Sequence, residues 1–200
     1  FVSMASHEFR TPLSTVLSSA SLLSKYTTTE TQSKRDRHIS KIKDSVKHLN
    51  DILEDFLSLG MLDEGRVNLS FINFNLPVYM NDLTEEMGGL LKNGQSIEFE
   101  HEGGEEICTD PKLLKNILIN LLTNAIKFSD EGKPIMLKTI IDGGKTTIIV
   151  KDSGIGISPE DQKHLFSSFF RGKNALNIQG TGLGLATVYG IVQQNNGFVH

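Results

Sequence analysis

The chain reads as an α-helical hairpin, able to pair into a dimeric four-helix bundle, followed by an α/β sandwich with one mixed sheet and helices on one face. Two observations carry this. The first sixty residues hold apolar ladders spaced alternately by three and four, the seam of helices crossing at about 20°. The remainder switches between helical and strand periods and is punctuated by glycine, as layered α/β folds are.

The first ladder is Val2, Ser6, Phe9, Leu13, Val16, Ala20 and Leu23, and the second is Ile39, Ile42, Val46, Leu49, Leu53 and Phe56. The polar "KYTTTETQSKRD" between them is a turn between antiparallel helices. Two such helices have one good seam each and cannot close a core, so a second copy is expected to complete the bundle. Near "LGMLDEGRVNL" the ladder fades and Gly60 and Gly65 mark a linker. The expected organisation is a hairpin over 1–62, a linker over 63–70 and a second domain over 71–200. In that domain "LPVYMNDLTEEMGGLLKN" predicts a helix and "SIEFEHE" a strand. "DPKLLKNILINLLTNAIKF" predicts a long helix, with Asp110 as N-cap and Pro111 at its first position. "IMLKTII" and "KTTIIVK", joined through "DGG", predict a hairpin, and "GLATVYGIVQQNN" a last helix.

Composition excludes several classes. A net charge of −4, with no basic run or basic–aromatic face, argues against nucleic acid. Cys108 is the only cysteine, which rules out an intrachain disulfide and fits a reducing, cytoplasmic setting. No stretch approaches the ~20 apolar residues of a membrane helix, so this piece is not expected to be membrane-inserted, though it fits the inner part of a longer membrane sensor.

Four stretches carry chemistry. On "NILINLLTNAIKFS", Asn120, Asn124 and Lys127 share one helical face. That is either a solvated stripe or a site where carboxamide oxygens meet a hard cation such as Mg²⁺ and the lysine meets the phosphates sharing it. In "VKDSGIGIS", Asp152, Gly154 and Gly156 make either an ordinary turn after a strand or a buried carboxylate for an exocyclic amine, with glycines admitting a flat ring. In "LFSSFFRGKN", Phe169 and Phe170 anchor a lid from which Arg171 reaches phosphate, or belong to a partly buried loop. In "GTGLGLATVYG", Gly180, Gly182 and Gly184 open a helix whose N–H groups and dipole form an anion site, or merely allow close packing. Each is modest alone; their order along one chain is not expected by chance.

The chain resembles bacterial-type sensor histidine kinases over nearly all its length. "SHEFRTPL" is similar to the phosphoacceptor box, "NLLTNAIKFS" to the asparagine box, and "DSGIGI" and "GTGLGL" to the two glycine boxes, with "LFSSFFRG" between them. The resemblance implies a dimerisation and phosphotransfer hairpin followed by an ATP-binding domain of the gyrase type. It implies that His7 accepts the γ-phosphoryl group with Glu8 assisting, and that Asn120 and Asn124 serve Mg²⁺. Lys127 and Arg171 would meet the phosphates, Asp152 the adenine amine, and Phe128, where many relatives carry tyrosine, would stack. Gly154, Gly156, Gly180, Thr181, Gly182, Leu183 and Gly184 complete the implied nucleotide site. Thr11 occupies the position associated with dephosphorylating a partner response regulator, which would otherwise receive the phosphoryl group from His7. An ATP-driven clamp of the gyrase type and a catalytically weak scaffold are the competing readings. Relatives continue past "NNGFVH" into another strand and begin upstream of the phosphoacceptor box, so further structure is expected at both ends.

The opening "HEFRTP" has its own logic. His7 lies one position past the seam residue Ser6, so its ring is expected to point away from the bundle. A neutral imidazole nitrogen is the attacking form, and Glu8 can fix the tautomer through the other nitrogen. Thr11 is one turn along the same face. Pro12 removes a helix hydrogen bond at Glu8, either as a hinge beside the histidine or as a tolerated surface kink.

Overall fold

The computed structural model describes residues 2–63, 69–175, 178 and 180–200, with the backbone alone for 2–5, 7, 58, 59 and 61–63. Helix α1 (Val2–Leu23) and helix α2 (Gln32–Asp63) form the hairpin, joined by a 3-10 turn over Thr29–Thr31. Strand β1 (Ile72–Asn75), helix α3 (Leu76–Met87), strands β2 (Ser96–Gly103) and β3 (Glu106–Thr109), and helix α4 (Pro111–Phe128) follow. Strands β4 (Pro134–Asp142) and β5 (Lys145–Lys151), a single turn α5 (Pro159–Gln162) and helix α6 (Gly184–Gln194) complete the order.

The hairpin corrects the expected seam at alternate rungs. Phe9, Val16, Leu23, Ile42, Leu49 and Phe56 are half-buried, as the ladders require. Their alternates face outward: Leu13 is 54% exposed, Leu53 46%, and Ile39 and Val46 are also exposed. Pro12, Ser19 and Ile52, each one residue away from a predicted seam position, are buried instead. One helix pair can bury only one side of an a/d stripe, so the other half of each ladder is left without cover in this chain. Helix α1 runs unbroken through Pro12, whose burial sets aside the surface-kink alternative. Gly60 also lies inside α2, so the helix passes the expected start of the linker; positions 64–68 of that linker are outside the described residues.

The second domain is built on a mixed three-stranded sheet in the order β2-β4-β5, with β2 parallel and β5 antiparallel to β4. The β4–β5 hairpin closes through Gly143 and Gly144, with Asp142 opposite Lys145. Both glycines have positive φ (56° and 78°), the backbone a tight two-residue turn demands. The short strands β1 and β3, which no period announced, pair antiparallel as a separate two-stranded sheet. Leu76, Met80 and Leu83 of α3, Leu114, Leu118 and Leu122 of α4, and Ile135 and Leu137 of β4 form the core between helices and sheet. The predicted helix from Leu76 stops at Met87, before Gly88 and Gly89, and a 3-10 turn takes over.

Helix α4 is set at both ends. Asp110 Oδ1 accepts from the N–H of Lys112 (2.9 Å) and Leu113 (3.3 Å), and its Oδ2 accepts from Ser70 N–H (2.8 Å). At the other end the Lys92 ammonium donates to Lys127 O (2.8 Å) and Ser129 O (2.6 Å), and the Gln95 amide donates to Ile126 O, Ser129 O and Asp130 O. A cation and an amide thus satisfy the terminal carbonyls where the helix dipole is negative.

Burial pushes the Asp110 carboxyl up, but its three backbone donors and the Lys112 charge outweigh this and hold it below the ordinary value. Its stabilisation is therefore complete above the unfolded value of about 4 and is lost as pH falls through the lower folded value. Asp110→Ala is expected to cost ~1–2 kcal/mol at neutral pH in denaturant unfolding. The difference from wild type should shrink on acidification.

Candidate nucleotide site

A cleft of about 1000 Å³ opens between α2 and the second domain, with α4, the Asp152 turn, the 170–175 loop and the start of α6 as its other walls. Asn120, Asn124, Lys127 and Phe128 all line it, which favours the functional reading of the α4 face over a solvated stripe. Asp152, Gly156, Arg171, Gly180, Thr181, Gly182 and Gly184 line it as well. Leu183 lies beneath as a fully buried support and as the residue capping α6.

Close backbone approach explains the glycines. A Cβ on Gly184 would stand 2.5 Å from Asn120 Oδ1, and one on Gly180 2.5 Å from Lys127 Nζ. A Cβ on Gly154 would stand 2.6 Å from Phe128 O. Both glycine stretches are thereby drawn onto α4. Ser129 reinforces the second contact: it bridges Gly154 through the backbone, and its hydroxyl accepts from Ser153 N–H (3.3 Å). Gly182 has φ +69° and packs on the backbone of Phe169 and Phe170. Phe169 is itself held at φ 63°, a left-handed conformation costing a non-glycine residue ~1–3 kcal/mol, and is buried. It anchors its loop, as expected of the aromatic pair.

Side-chain states differ across the site. Asn120 spends its amide N–H on Asn116 O (3.0 Å) and Oδ1 (2.8 Å), which leaves its own Oδ1 turned toward Gly184. Lys127 lies 4.8 Å from the centre of the Phe128 ring. Burial lowers the Lys127 ammonium's pKa, and the Arg171 charge lowers it further. Arg171 donates to the carbonyls of Ala175 (2.9 Å) and Ile178, engaging its own loop while it lines the cleft.

Asp152 corrects one expectation. Its carboxylate is exposed rather than buried, and Oδ1 accepts from Gly154 N–H (2.8 Å). A strand-end Asx turn places this group at the rim of the cleft, not inside the core.

The hairpin reaches the site directly. Phe9 and Phe56 pack against a cluster of Phe169, Leu183, Ala186 and Ile191. Beside them Thr181 Oγ1 donates to Asp55 Oδ2 (2.7 Å) and accepts from Leu183 N–H (3.2 Å). Burial pushes the Asp55 carboxyl up, the Thr181 hydroxyl draws it down, and Asp51 and Glu54 push it up again, with a net rise. Nothing in local sequence patterning singled out Asp55; it looks like one more polar residue on α2. Glu8 is half-buried and Thr11 exposed on α1, while the His7 side chain lies outside the described residues.

A phospho-acceptor domain profile of histidine kinases matches residues 1–65, and the profile "Histidine kinase-, DNA gyrase B-, and HSP90-like ATPase" matches residues 109–200. The chain is 33% identical to an aerobic respiration control sensor protein ArcB homolog of Haemophilus influenzae over 94% of its own length and 58% of the relative's. Among solved structures, ShkA full-length in complex with AMPPNP is 30% identical with a TM-score of 0.68, over 94% of this chain and 39% of that one. ThkA, solved in complex with the response regulator protein TrrA, shares the fold at 23% identity with a TM-score of 0.75, over 98% of this chain and 55% of that one. The chain belongs to the sensor histidine kinases. It spans well under two thirds of these proteins. Among the described residues, no helix is long and apolar enough to cross a membrane.

The packing at Gly182 separates two costs. Gly182→Ala combines a strained φ with a Cβ 2.8 Å from backbone atoms, whereas Gly156→Ala, at φ +68°, meets nothing within 4 Å. In denaturant unfolding Gly156→Ala should lose ~1 kcal/mol and Gly182→Ala clearly more, up to ~3 kcal/mol.

Proposed function

We propose that the chain is the autokinase core of a two-component sensor: ATP bound in the cleft phosphorylates His7, and the phosphoryl group then passes to an aspartate of a response regulator. One observation supports this above the others. Residues from four separated stretches, each suited to one part of a magnesium nucleotide, line a single cleft against the hairpin that carries His7.

In this reading Asp152 at the rim accepts from the adenine amine, with Gly154 and Gly156 leaving room for the flat ring and Phe128 alongside. The α6 start, Gly180 to Gly184, offers backbone N–H groups and a positive dipole end to the phosphates. Lys127, its ammonium destabilised where it stands, gains most from a phosphate anion. The neutral carboxamides of Asn120 and Asn124 fit Mg²⁺, which prefers a few oxygen donors and keeps its waters; among the described residues no group hydrogen-bonds the Asn124 amide. Such an ion would supply charge screening at the β- and γ-phosphates.

The neutral His7 imidazole nitrogen attacks the γ-phosphorus, a P–N bond forms, and the bond to the β-phosphate oxygen breaks to release ADP. Glu8 accepts from the other ring N–H and stabilises the developing positive charge, as carboxylates do for other catalytic histidines. The ring proton is then lost to solvent, and a receiver carboxylate later takes the phosphoryl group from nitrogen. Thr11, exposed one turn from His7, orients water for the reverse, phosphatase duty. The outward rungs Leu13, Ile39, Val46 and Leu53 are covered by a second copy, which makes the working unit a homodimer. The need for a nucleotide supply and the lone Cys108 support a cytoplasmic setting for this module.

Incubation with γ-labelled ATP and Mg²⁺ should yield acid-labile, base-stable label on the protein. His7→Gln should abolish it, and Asp152→Ala should weaken nucleotide binding at least about tenfold, the scale of a hydrogen bond to a charged group. Label that survives His7→Gln would overturn the assignment.

A further inference from the structure

The cleft has one wall that the nucleotide reading does not use. Helix α2 contributes Asp44, Lys47, His48, Asp51, Glu54 and Asp55, an acidic surface opposite Lys127, Arg171 and the start of α6. An acidic wall repels a polyphosphate, so its place beside the anion-binding end of the cleft needs a reason.

Asp55 supplies it. Its carboxylate accepts from the Thr181 hydroxyl at 2.7 Å, and Thr181 Oγ1 in turn accepts from Leu183 N–H at the α6 cap. The carboxylate is therefore tied to the α6 start through the Thr181 hydroxyl, beside the N–H groups that would receive an anion. Phe56, the next residue, packs into the cluster of Phe169, Leu183 and Ala186, so the polar contact is the edge of an apolar interface between hairpin and second domain. Burial and the neighbouring Asp51 and Glu54 disfavour the charged carboxylate, which makes the contact one that a stronger anion can replace.

We propose that Asp55 is an internal anion that holds the hairpin on the glycine-rich turn through the Thr181 hydroxyl, and that nucleotide phosphate releases α2 by displacing it. The inference rests on the nucleotide reading above. Asp55 is a positioning residue: it touches Thr181, not the reacting atoms. Its contact fixes which face of α2 meets α6, and its release frees the second domain to carry ATP toward His7.

The test is binding of AMPPNP with Mg²⁺ by calorimetry to the full 200-residue chain and three variants. Asp55→Ala should bind about tenfold tighter than wild type, the scale of one charge-assisted hydrogen bond. Asp55→Asn, which keeps an acceptor but loses the charge, should fall between them. Asp51→Ala removes a neighbouring charge without touching Thr181 and should stay within about twofold of wild type. Hydrogen exchange adds a reading that tightness alone does not: residues 51–57 should exchange faster in wild type on adding AMPPNP, and should already do so in Asp55→Ala without it. Equal affinity of Asp55→Ala and wild type, an equal gain in Asp51→Ala, or unchanged exchange over 51–57 would each overturn the latch while leaving the nucleotide site standing. If neither wild type nor Asp55→Ala binds AMPPNP, the site reading itself falls and the latch falls with it.

Discussion

The site depends on how closely the start of α6 approaches α4. Gly180 and Gly184 bring backbone against Lys127 and Asn120 at distances that no side chain permits. That approach sets the N-terminal end of α6 opposite two carboxamides and an ammonium. Other contacts support it: Asp110 and the Lys92–Gln95 pair fix α4 at its two ends, and Phe169 holds a strained backbone against Gly182. A site assembled by contact between rigid elements is positioned more narrowly than one carried on loops alone.

The second constraint is that the proposed phosphoryl donor and acceptor belong to different parts of the fold. His7 lies on α1, while the groups suited to ATP lie on α4, the Asp152 turn and α6. Phe9 and Phe56 show that the two parts meet through an apolar contact near the glycine turn. In the proposed mechanism this contact is remade in another arrangement, so that the second domain can reach His7 and a receiver can follow it. The same hairpin leaves alternate rungs of both ladders uncovered, so its inner face binds one helix and its outer face remains for another.

Much of this was legible in the sequence. The Asp-Pro opening of α4 marked its first turn, and the Asp142–Gly143–Gly144 stretch marked the β4–β5 turn. The four chemical stretches were each ambiguous alone, and only the fold brought them to one cleft. Other features left no local trace. Strands β1 and β3 are four residues long, too short to declare a period. The ladder spacing located the seam but not which rungs face the partner helix, because a stripe shared by several helices looks the same from any one of them. For Asp152 the pattern allowed an ordinary turn or a buried carboxylate, and only the fold shows the Asx turn that leaves it exposed at the rim. Asp55 and the Lys92–Gln95 cap act across long sequence separations, where neither spacing nor composition carries a signal.

The central claim is geometric: one nucleotide spans the cleft from the Asp152 rim to the α6 start. A crystal structure of the chain with AMPPNP and Mg²⁺ tests it most directly. The adenine amine should lie against Asp152 and the phosphates between Lys127 and the N–H groups of Gly180 to Gly184. Nucleotide bound elsewhere, or a cleft left empty at saturating ligand, would contradict it.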